Sequence, residues 1–409
     1  MKCRHCGSQN LSSVIDLGSS PPSNAYLFEG DLNKLEKWFP LKVNVCNECY
    51  LVQTEDYSNA DELFDGDYAY FSSFSKTMLD HSKNYVGGMV KRFSLNEDSM
   101  VIEIAANDGY LLQFVKEQGI PCLGVEPTKS TAEAARQKGI EIVEEFFGVA
   151  LAEKLVDKGF SADLMASNNV LAHVPNINDF VEGYSILLKP EGVATFEFPY
   201  LVNLFEKNQF DTIYHEHYSY LSLSAVNTIF SSNGLHVFDV ELIDTHGGSL
   251  RVFAERKDSP REKSQSKMVN ELLVNEKDGG YLSDRAYVGF QHIAEKAKDD
   301  MVKFLINAKE EGKSVCAFGA AAKGNTFINF AGIRPDLISV VADSNPAKQG
   351  KFMPGSRIPI VSEEVLASYT PDYVIILPWN LKEEISARLG YMREWDCQFV
   401  VGIPKLEIL

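Results

Sequence analysis

The sequence predicts an α/β protein in three parts: a small cysteine-clasped N-terminal module, a central Rossmann-like unit and a second Rossmann-like unit at the C-terminus. Two CxxC pairs, CRHC and CNEC, mark the first part. Short apolar strands alternating with helical segments mark the second, from about residue 100, and the alternation starts again near residue 285. A chain of 409 residues suits two or three domains, and 45% apolar content can fill their cores.

Taken in order, residues 1–60 are rich in turn formers. A segment this small leans on a metal for its stability. Cys3, Cys6, Cys46 and Cys49 can turn four thiolates toward one tetrahedral zinc ion, the two halves folding back on each other. The alternatives are a redox CxxC or chance. A redox motif would follow a strand, and two redox pairs are less economical than one metal site. Cys122, Cys316 and Cys397 stand singly in apolar surroundings, as buried free thiols do.

Residues 74–94 read as a helix ending in lysine and arginine. SMVIEIAANDG is a strand entering a turn, LLQFVKEQG a helix, PCLGVEP a second strand and TAEAARQKG a helix. EIVEEFF, ADLMASNNVL and EGVATFEFPY read as the third, fourth and fifth strands of a doubly wound parallel sheet. An aromatic and histidine-rich stretch covers residues 200–255, and the polar RKDSPREKSQSK (256–267) reads as a surface connector. A long amphipathic helix over AYVGFQHIAEKAKDDMVKFLINAKEEG opens the last unit, whose strands lie in SVCAFG, LISVVAD and PDYVIIL. The expected domains are residues 1–70, 71–255 and 256–409.

The first strand-to-helix turn runs from Glu103 to Gly109. An acid followed by spaced glycines suits S-adenosylmethionine (SAM), and here Ala105 and Asn107 replace two of the glycines. Asn tolerates a left-handed backbone, so the turn survives. Glu126, followed by Pro127, ends the second strand, where an acid binds ribose hydroxyls. Phe147 follows the third strand, to flank adenine or to join the core, and Asn168 and Asn169 end the fourth. An NAD turn wants GxGxxG for its pyrophosphate, which EIAANDG lacks. A plain tight turn with no ligand is the third reading.

FGAAAKGNT (318–326) suits an anion at a helix N-terminus, or else packs helix on strand. Lys323 and Asn325 in it, with Asp343, Lys351 and Arg357 further on, form a candidate diphosphate grip for a nucleotide-linked substrate. In TIYHEHYSYLS (212–222), Tyr214, Glu216 and His217 carry groups that exchange protons. Its two histidines are too close in sequence for the HExxH metal spacing. His173 in NNVLAHVPN should reach the same cleft, and His246 in THGGSLRV is a further candidate. Tyr70 and Ser72 in YAYFSS are placed to close over bound ligands, or to cap a helix.

A net charge of −18 argues against nucleic acid as partner. No apolar stretch approaches a membrane span, and the N-terminus lacks a signal-peptide core, so a cytoplasmic location is expected.

Together the motifs CxxC…CxxC, SSPPSNAYL, YAYFSSFSKTM, EIAANDGYLL, GVEP, NNVLAHV, YHEHYSYLS, HGGSLRV, GAAAKGNT and DSNPAKQGKFMPGSRIPI resemble the SAM-dependent sugar C-methyltransferases of deoxysugar biosynthesis. The resemblance runs the length of the chain. It implies a zinc module, a central class I SAM methyltransferase domain and a C-terminal Rossmann-like domain gripping the nucleotide. It implies methylation at carbon 3 of a nucleotide-linked 4-ketosugar, with Tyr214, Glu216 and His217 matching the family's YxEH stretch and His173 its other active-site histidine. On this reading His217 is the base, oriented or tuned by Glu216, with Tyr214 as the competing base. His173 donates a hydrogen bond to the enolate oxygen. The chain departs from the family at Ala105, where glycine is usual. An NAD-dependent nucleotide-sugar oxidoreductase, a sugar O-methyltransferase and a non-enzymatic zinc-ribbon scaffold are the competing readings. The sugar, its nucleotide and the oligomeric state are left open.

Overall fold

The computed structural model describes residues 1–55, 71–244, 247–261 and 264–409. Tyr70 and His246 lie outside the described residues.

The N-terminal module contributes β1 (Leu11–Ser20), β2 (Phe39–Cys46) and β3 (Val52–Thr54), paired antiparallel. Alternating buried residues on β2 (Leu41, Val43, Val45) give it one core face. The fourth strand of this sheet, β9 (Ser219–Tyr220), arrives from far along the chain and pairs with β3.

The central unit begins with α1 (Lys76–Phe93). Ser75 caps its N-terminus by accepting from the Met78 N–H, and Ser82, Tyr85, Val86 and Met89 form its buried stripe. Then follow β4 (Val101–Ile104), α2 (Leu112–Glu117), β5 (Cys122–Val125), α3 (Lys129–Gln137), β6 (Glu141–Val143), α4 (Val149–Asp157) and β7 (Ala162–Asn168). After these come α5 (Ile177–Leu187), β8 (Leu188–Pro199), α6 (Leu201–Glu206), α7 (Leu223–Ser232), β10 (Leu235–Ile243) and β11 (Ser249–Arg256). The sheet order is β10-β11-β8-β7-β4-β5-β6. Strands β8 to β6 in that order run parallel, as expected. The wholly parallel sheet is corrected at one edge: β10 and β11 form an antiparallel hairpin beside β8. The aromatic and histidine-rich stretch 200–255 supplies α6, β9, α7 and two sheet strands. Apolar side chains cover both faces of the sheet, with Tyr85, Leu112 and Ala132 on one side and Phe180, Tyr184 and Phe230 on the other.

A helix unexpected from the sequence, α8 (Lys267–Gly279), buries Val269 and Leu272 in the core of the central unit. Its N-cap, Ser266, lies in the polar connector, whose composition hid the helix start. The last unit holds α9 (Phe290–Glu310), β12 (Val315–Phe318), α10 (Ala322–Phe330), β13 (Val341–Ala342), β14 (Ile360–Val361) and α11 (Glu363–Ser368). It ends with β15 (Tyr373–Ile376), α12 (Lys382–Arg388), β16 (Gln398–Val401) and β17 (Glu407–Ile408). Its sheet order is β14-β13-β12-β15-β16-β17, parallel except for β17. One apolar cluster joins Val43 and Val45 of the module, Phe210 and Ile213 of the central unit, and Phe327 and Ile328 of α10. The three parts thus meet around residues 210–220. Among the described residues no helix is long and apolar enough to cross a membrane.

Candidate active site

The chain leaves β4 to build β5 and β6 on one side, then returns to build β7 and β8 on the other. This makes the β4–β7 edge a switch point, where open α/β sheets bind ligands outside their carboxyl ends. The turn after β4 has left-handed backbone at Ala105 (φ 57°), Asn107 (φ 50°) and Gly109 (φ 74°). A Cβ on Gly109 would lie 2.4 Å from Ile140 Cδ1, so the turn packs directly on the neighbouring chain. Glu126 holds the turn in place by accepting from the Asn107 N–H and the Thr128 N–H, each at 2.9 Å. Ser72, in the segment expected to close over the ligand, donates its N–H to Asn107 Oδ1 at 2.9 Å, and Ser73 Oγ donates to Asp108 Oδ2. Ser72 is not a helix cap here; Ser75 does that work.

The electrostatics of this pocket favour a cationic ligand. Both carboxyl oxygens of Glu103 are buried without a hydrogen bond. Burial, with the charges of Glu126 and Asp108, raises its pKa well above the usual range. Burial also raises Glu126. Both side-chain polar atoms of Asn168, at the end of β7, are buried and unpaired, as is Nδ2 of Asn169 (φ 58°). These groups fit a ligand carrying ammonium, sulfonium and hydroxyl groups, which SAM has. They would repel the diphosphate of a dinucleotide. Pro127 follows Glu126 beside this turn. Phe146 is exposed, whereas Phe147 packs edge-on against Phe180 and Tyr184 at 5.6 and 5.3 Å. Phe147 thus lies against α5.

The proton-transfer groups converge beside β9. The His173 and His217 rings lie 4.6 Å apart, and Tyr214 covers His217 at 3.9 Å. His217 Nδ1 lies 2.9 Å from the Thr212 carbonyl, and His173 Nδ1 lies 2.7 Å from the Glu216 carbonyl. A carbonyl can only accept, so each ring carries a proton on Nδ1, and the neutral form of each presents its lone pair at Nε2. Burial holds His173 down at about 4, against a smaller upward pull from its hydrogen bond. This corrects one expectation: a neutral His173 with its proton on Nδ1 offers an acceptor at Nε2, not a donor. A second correction concerns Glu216. Its carboxylate accepts from Ser23 Oγ and Asn24 Nδ2, each at 3.2 Å, while the Thr212 carbonyl orients the His217 ring. Burial raises the Glu216 pKa. The SSPPSN motif thus acts as a cradle for Glu216. His215 turns away, with Nε2 at 3.2 Å from the Pro40 carbonyl and its ring against Phe39. Gln209, Thr212, His217 and Tyr220 line a small cleft beside Pro199 and Tyr200. Tyr220, one of the tyrosines clustered in the 212–222 stretch, has its hydroxyl buried without a hydrogen bond beside that cleft.

The expected diphosphate grip is divided. Asn325 Nδ2 donates to the Ser23 carbonyl at 2.6 Å, and Thr326 Oγ1 to the Ile213 carbonyl at 2.8 Å, so the start of α10 clamps the Glu216 cradle and the histidine loop. Arg357 donates to the Leu32 carbonyl at 2.8 Å, and Lys351 stands over the Phe28 ring at 4.6 Å. Both are engaged by the module. Asp343 faces Lys348 at 3.5 Å. Lys323 lies 4.9 Å over the Trp379 ring. Burial lowers its pKa, partly offset by the Asp211 charge. Burial likewise raises Asp211 to about 6 although Trp379 Nε1 donates to it at 2.7 Å. Sequence signals for the Asn325, Thr326 and Arg357 clamps were absent, because each ends on a backbone carbonyl.

In the module the Cys3 and Cys49 sulfurs lie 3.5 Å apart, as do those of Cys6 and Cys46, and all four fall within 4.8 Å of one another. A tetrahedral Zn–S₄ site has sulfur pairs roughly 3.8 Å apart, so the thiols fit a structural zinc with no open position.

Three family models match the chain: a domain described as zinc-binding over residues 3–64, a methyltransferase domain over 78–240 and a C-methyltransferase C-terminal domain over 244–404. The chain is 34% identical to the C-methyltransferase NovU of Streptomyces niveus over 408 residues, covering 100% of this chain and 96% of that protein. A ubiquinone biosynthesis O-methyltransferase of Bartonella bacilliformis is 26% identical over 97 residues, 23% of this chain and 38% of its own length. Among solved structures, the magnesium protoporphyrin IX methyltransferase of Synechocystis with bound SAM overlaps 44% of this chain and 79% of its own, at 15% identity and a TM-score of 0.34.

Proposed function

The chain belongs to the C-methyltransferase family that includes NovU, and from that premise we propose that it transfers a methyl group from SAM to carbon 3 of a nucleotide-linked 4-ketosugar. The enzyme is a SAM-dependent C-methyltransferase with a structural zinc module. SAM supplies an electrophilic methyl group when bound. Glu103, Ala105, Asn107, Gly109, Glu126 and Pro127 around the β4 and β5 ends, Asn168 and Asn169 at and after the end of β7, and Ser72 from the segment before α1 would hold it.

Carbon is a poor nucleophile until a proton leaves it, and a neighbouring ketone makes that proton acidic. The reading therefore needs a neutral base in a dry site. The observation that carries it is the pair of imidazoles 4.6 Å apart, each held at Nδ1 by a backbone carbonyl. His217 Nε2 takes the proton from carbon 3, and the ring becomes an imidazolium stabilised by the Thr212 carbonyl. Tyr214, stacked on that ring, positions it and supports the cation. His173 Nε2 accepts a hydrogen bond from a sugar hydroxyl, and Tyr220 OH is free to donate to the developing oxyanion. The ubiquinone biosynthesis O-methyltransferase matches only 23% of this chain, whereas the C-methyltransferase relative matches its whole length.

The test is a panel of nucleotide-linked 4-ketosugars with SAM, read by a mass gain of one methyl group, paired with deuterium loss from carbon 3 in the absence of SAM. The wild type should do both. His217→Asn should bind SAM normally and lose both by at least about 100-fold. A methyl group found on oxygen, or methylation without carbon-bound exchange, would exclude the enolate route.

A further inference from the structure

We propose that Arg4, inside the first zinc knuckle, is a positioning residue for the two imidazoles; its catalytic consequence rests on the reading above, its geometric one does not. Arg4 lies between Cys3 and Cys6 and so moves with the metal site. Its guanidinium bridges the end of β3 in the module and the central unit. Nη1 donates to the Pro175 carbonyl at 2.9 Å and Nη2 to the Thr54 carbonyl at 3.0 Å. Its plane stands 5.2 Å over the Tyr218 ring. Its backbone N–H is held by Gln53 Oε1 at 2.9 Å.

These contacts close a ring through both histidines. Pro175 follows His173 by two residues. Thr54 Oγ1 donates to the His217 carbonyl at 3.0 Å, and the Thr54 N–H donates to the Tyr218 carbonyl at 3.2 Å. The Tyr218 N–H donates to the Ala172 carbonyl at 2.8 Å, which returns to His173. His5 adds a parallel hold: its Nδ1 meets Asn178 Oδ1 at 2.8 Å, and Asn178 Nδ2 donates back to the His5 carbonyl at 2.8 Å. One planar fork therefore sets the separation between the segment carrying His173 and the segment carrying His217. A lysine at this position could satisfy one carbonyl at a time, and a methionine neither. The zinc knuckle thereby transmits its rigidity to the proton-transfer pair without touching substrate.

The experiment uses the full zinc-loaded chain with Arg4→Met and Arg4→Lys. Histidine-selective nitrogen NMR reports imidazole tautomer and environment, with signals assigned through His173→Gln and His217→Asn. Arg4→Met should move the His173 and His217 signals and leave that of His292, exposed on α9, in place. Zinc content and SAM affinity should stay within about 2-fold of wild type. Turnover should fall roughly 10- to 100-fold with KM for the ketosugar nearly unchanged, and Arg4→Lys should recover part of it. Unmoved imidazole signals overturn the proposal, and so does loss of zinc or SAM binding in step with turnover. Signals that move as described, in a protein that methylates no ketosugar, sink the substrate reading and uphold the positioning role.

Discussion

Ala105 holds a left-handed backbone at φ 57°, a conformation that its Cβ opposes by about 1–2 kcal/mol. Asn107, two residues on, adopts the same region at φ 50° with less opposition. The turn keeps its shape because Glu126 and Ser72 over-determine it from either side. Ala105→Gly should therefore raise stability by about 0.5–1 kcal/mol, after the greater freedom of glycine in the unfolded chain is deducted. Thermal unfolding would show it as a small upward shift with SAM affinity kept; a downward shift would mean that the backbone there is not left-handed. The opposite change, Gly109→Ala, adds a methyl group 2.4 Å from Ile140 Cδ1 at φ 74° and should lower both stability and SAM affinity. Such turns are partly legible in sequence. An acid, small residues and an Asn mark the place, but the unpaired state of Glu103 depends on strands far along the chain.

At the scale of elements, α1 is tied to the sheet by a buried charge network. Glu197 on β8 accepts from His81 on α1 at 2.9 Å and from Arg251 on β11 at 2.8 Å. Arg251 also pairs with Glu241 on β10 at 2.8 Å and stands 4.8 Å over the Tyr85 ring of α1. Burial alone would push the Glu197 carboxyl up, but the His81 hydrogen bond and the Arg251 charge together hold it at about 2. A depressed carboxyl stabilises the fold above its unfolded value near 4.5 and loses that contribution as pH falls toward 2. The contribution is on the order of 3 kcal/mol. Glu197→Gln should lose about that much at pH 7 and show a shallower stability slope between pH 4.5 and 2 in denaturant titrations. An unchanged acid slope would remove the network from the account. Because α1 follows directly on the segment whose Ser72 and Ser73 grip the SAM turn, the same variant should loosen SAM binding. None of this was legible beforehand: His81 looks like an ordinary helix histidine, and its partner lies on another strand.

At the scale of the molecule, the segment proposed to carry the base belongs to no single part. Residues 212–220 carry β9 into the sheet of the module, pack Phe210 and Ile213 against α10, and present His217 to His173 of the central unit. On the proposed reading the module is one wall of the site. Zinc removal by a chelator should then lower the unfolding temperature and abolish turnover while the central unit still binds SAM. Metal analysis, calorimetry and SAM titration on one sample would check this. Full turnover at zero zinc would show that β9 does not need β3.

The sequence alone determined the α/β class, the three-part order and the four clustered cysteines of the zinc module. Each of these depends on local spacing, which a linear pattern records: two thiols per knuckle, and apolar runs broken by a turn. The tertiary structure alone decided which nitrogen of each histidine carries the proton, what Glu216 holds, and that Asn325, Lys351 and Arg357 brace the module. It also decided that an antiparallel hairpin closes the sheet edge. Those features depend on backbone carbonyls, or on side chains and strands far away in the chain. Every residue has a carbonyl, so no residue type announces which one a ring or guanidinium will meet.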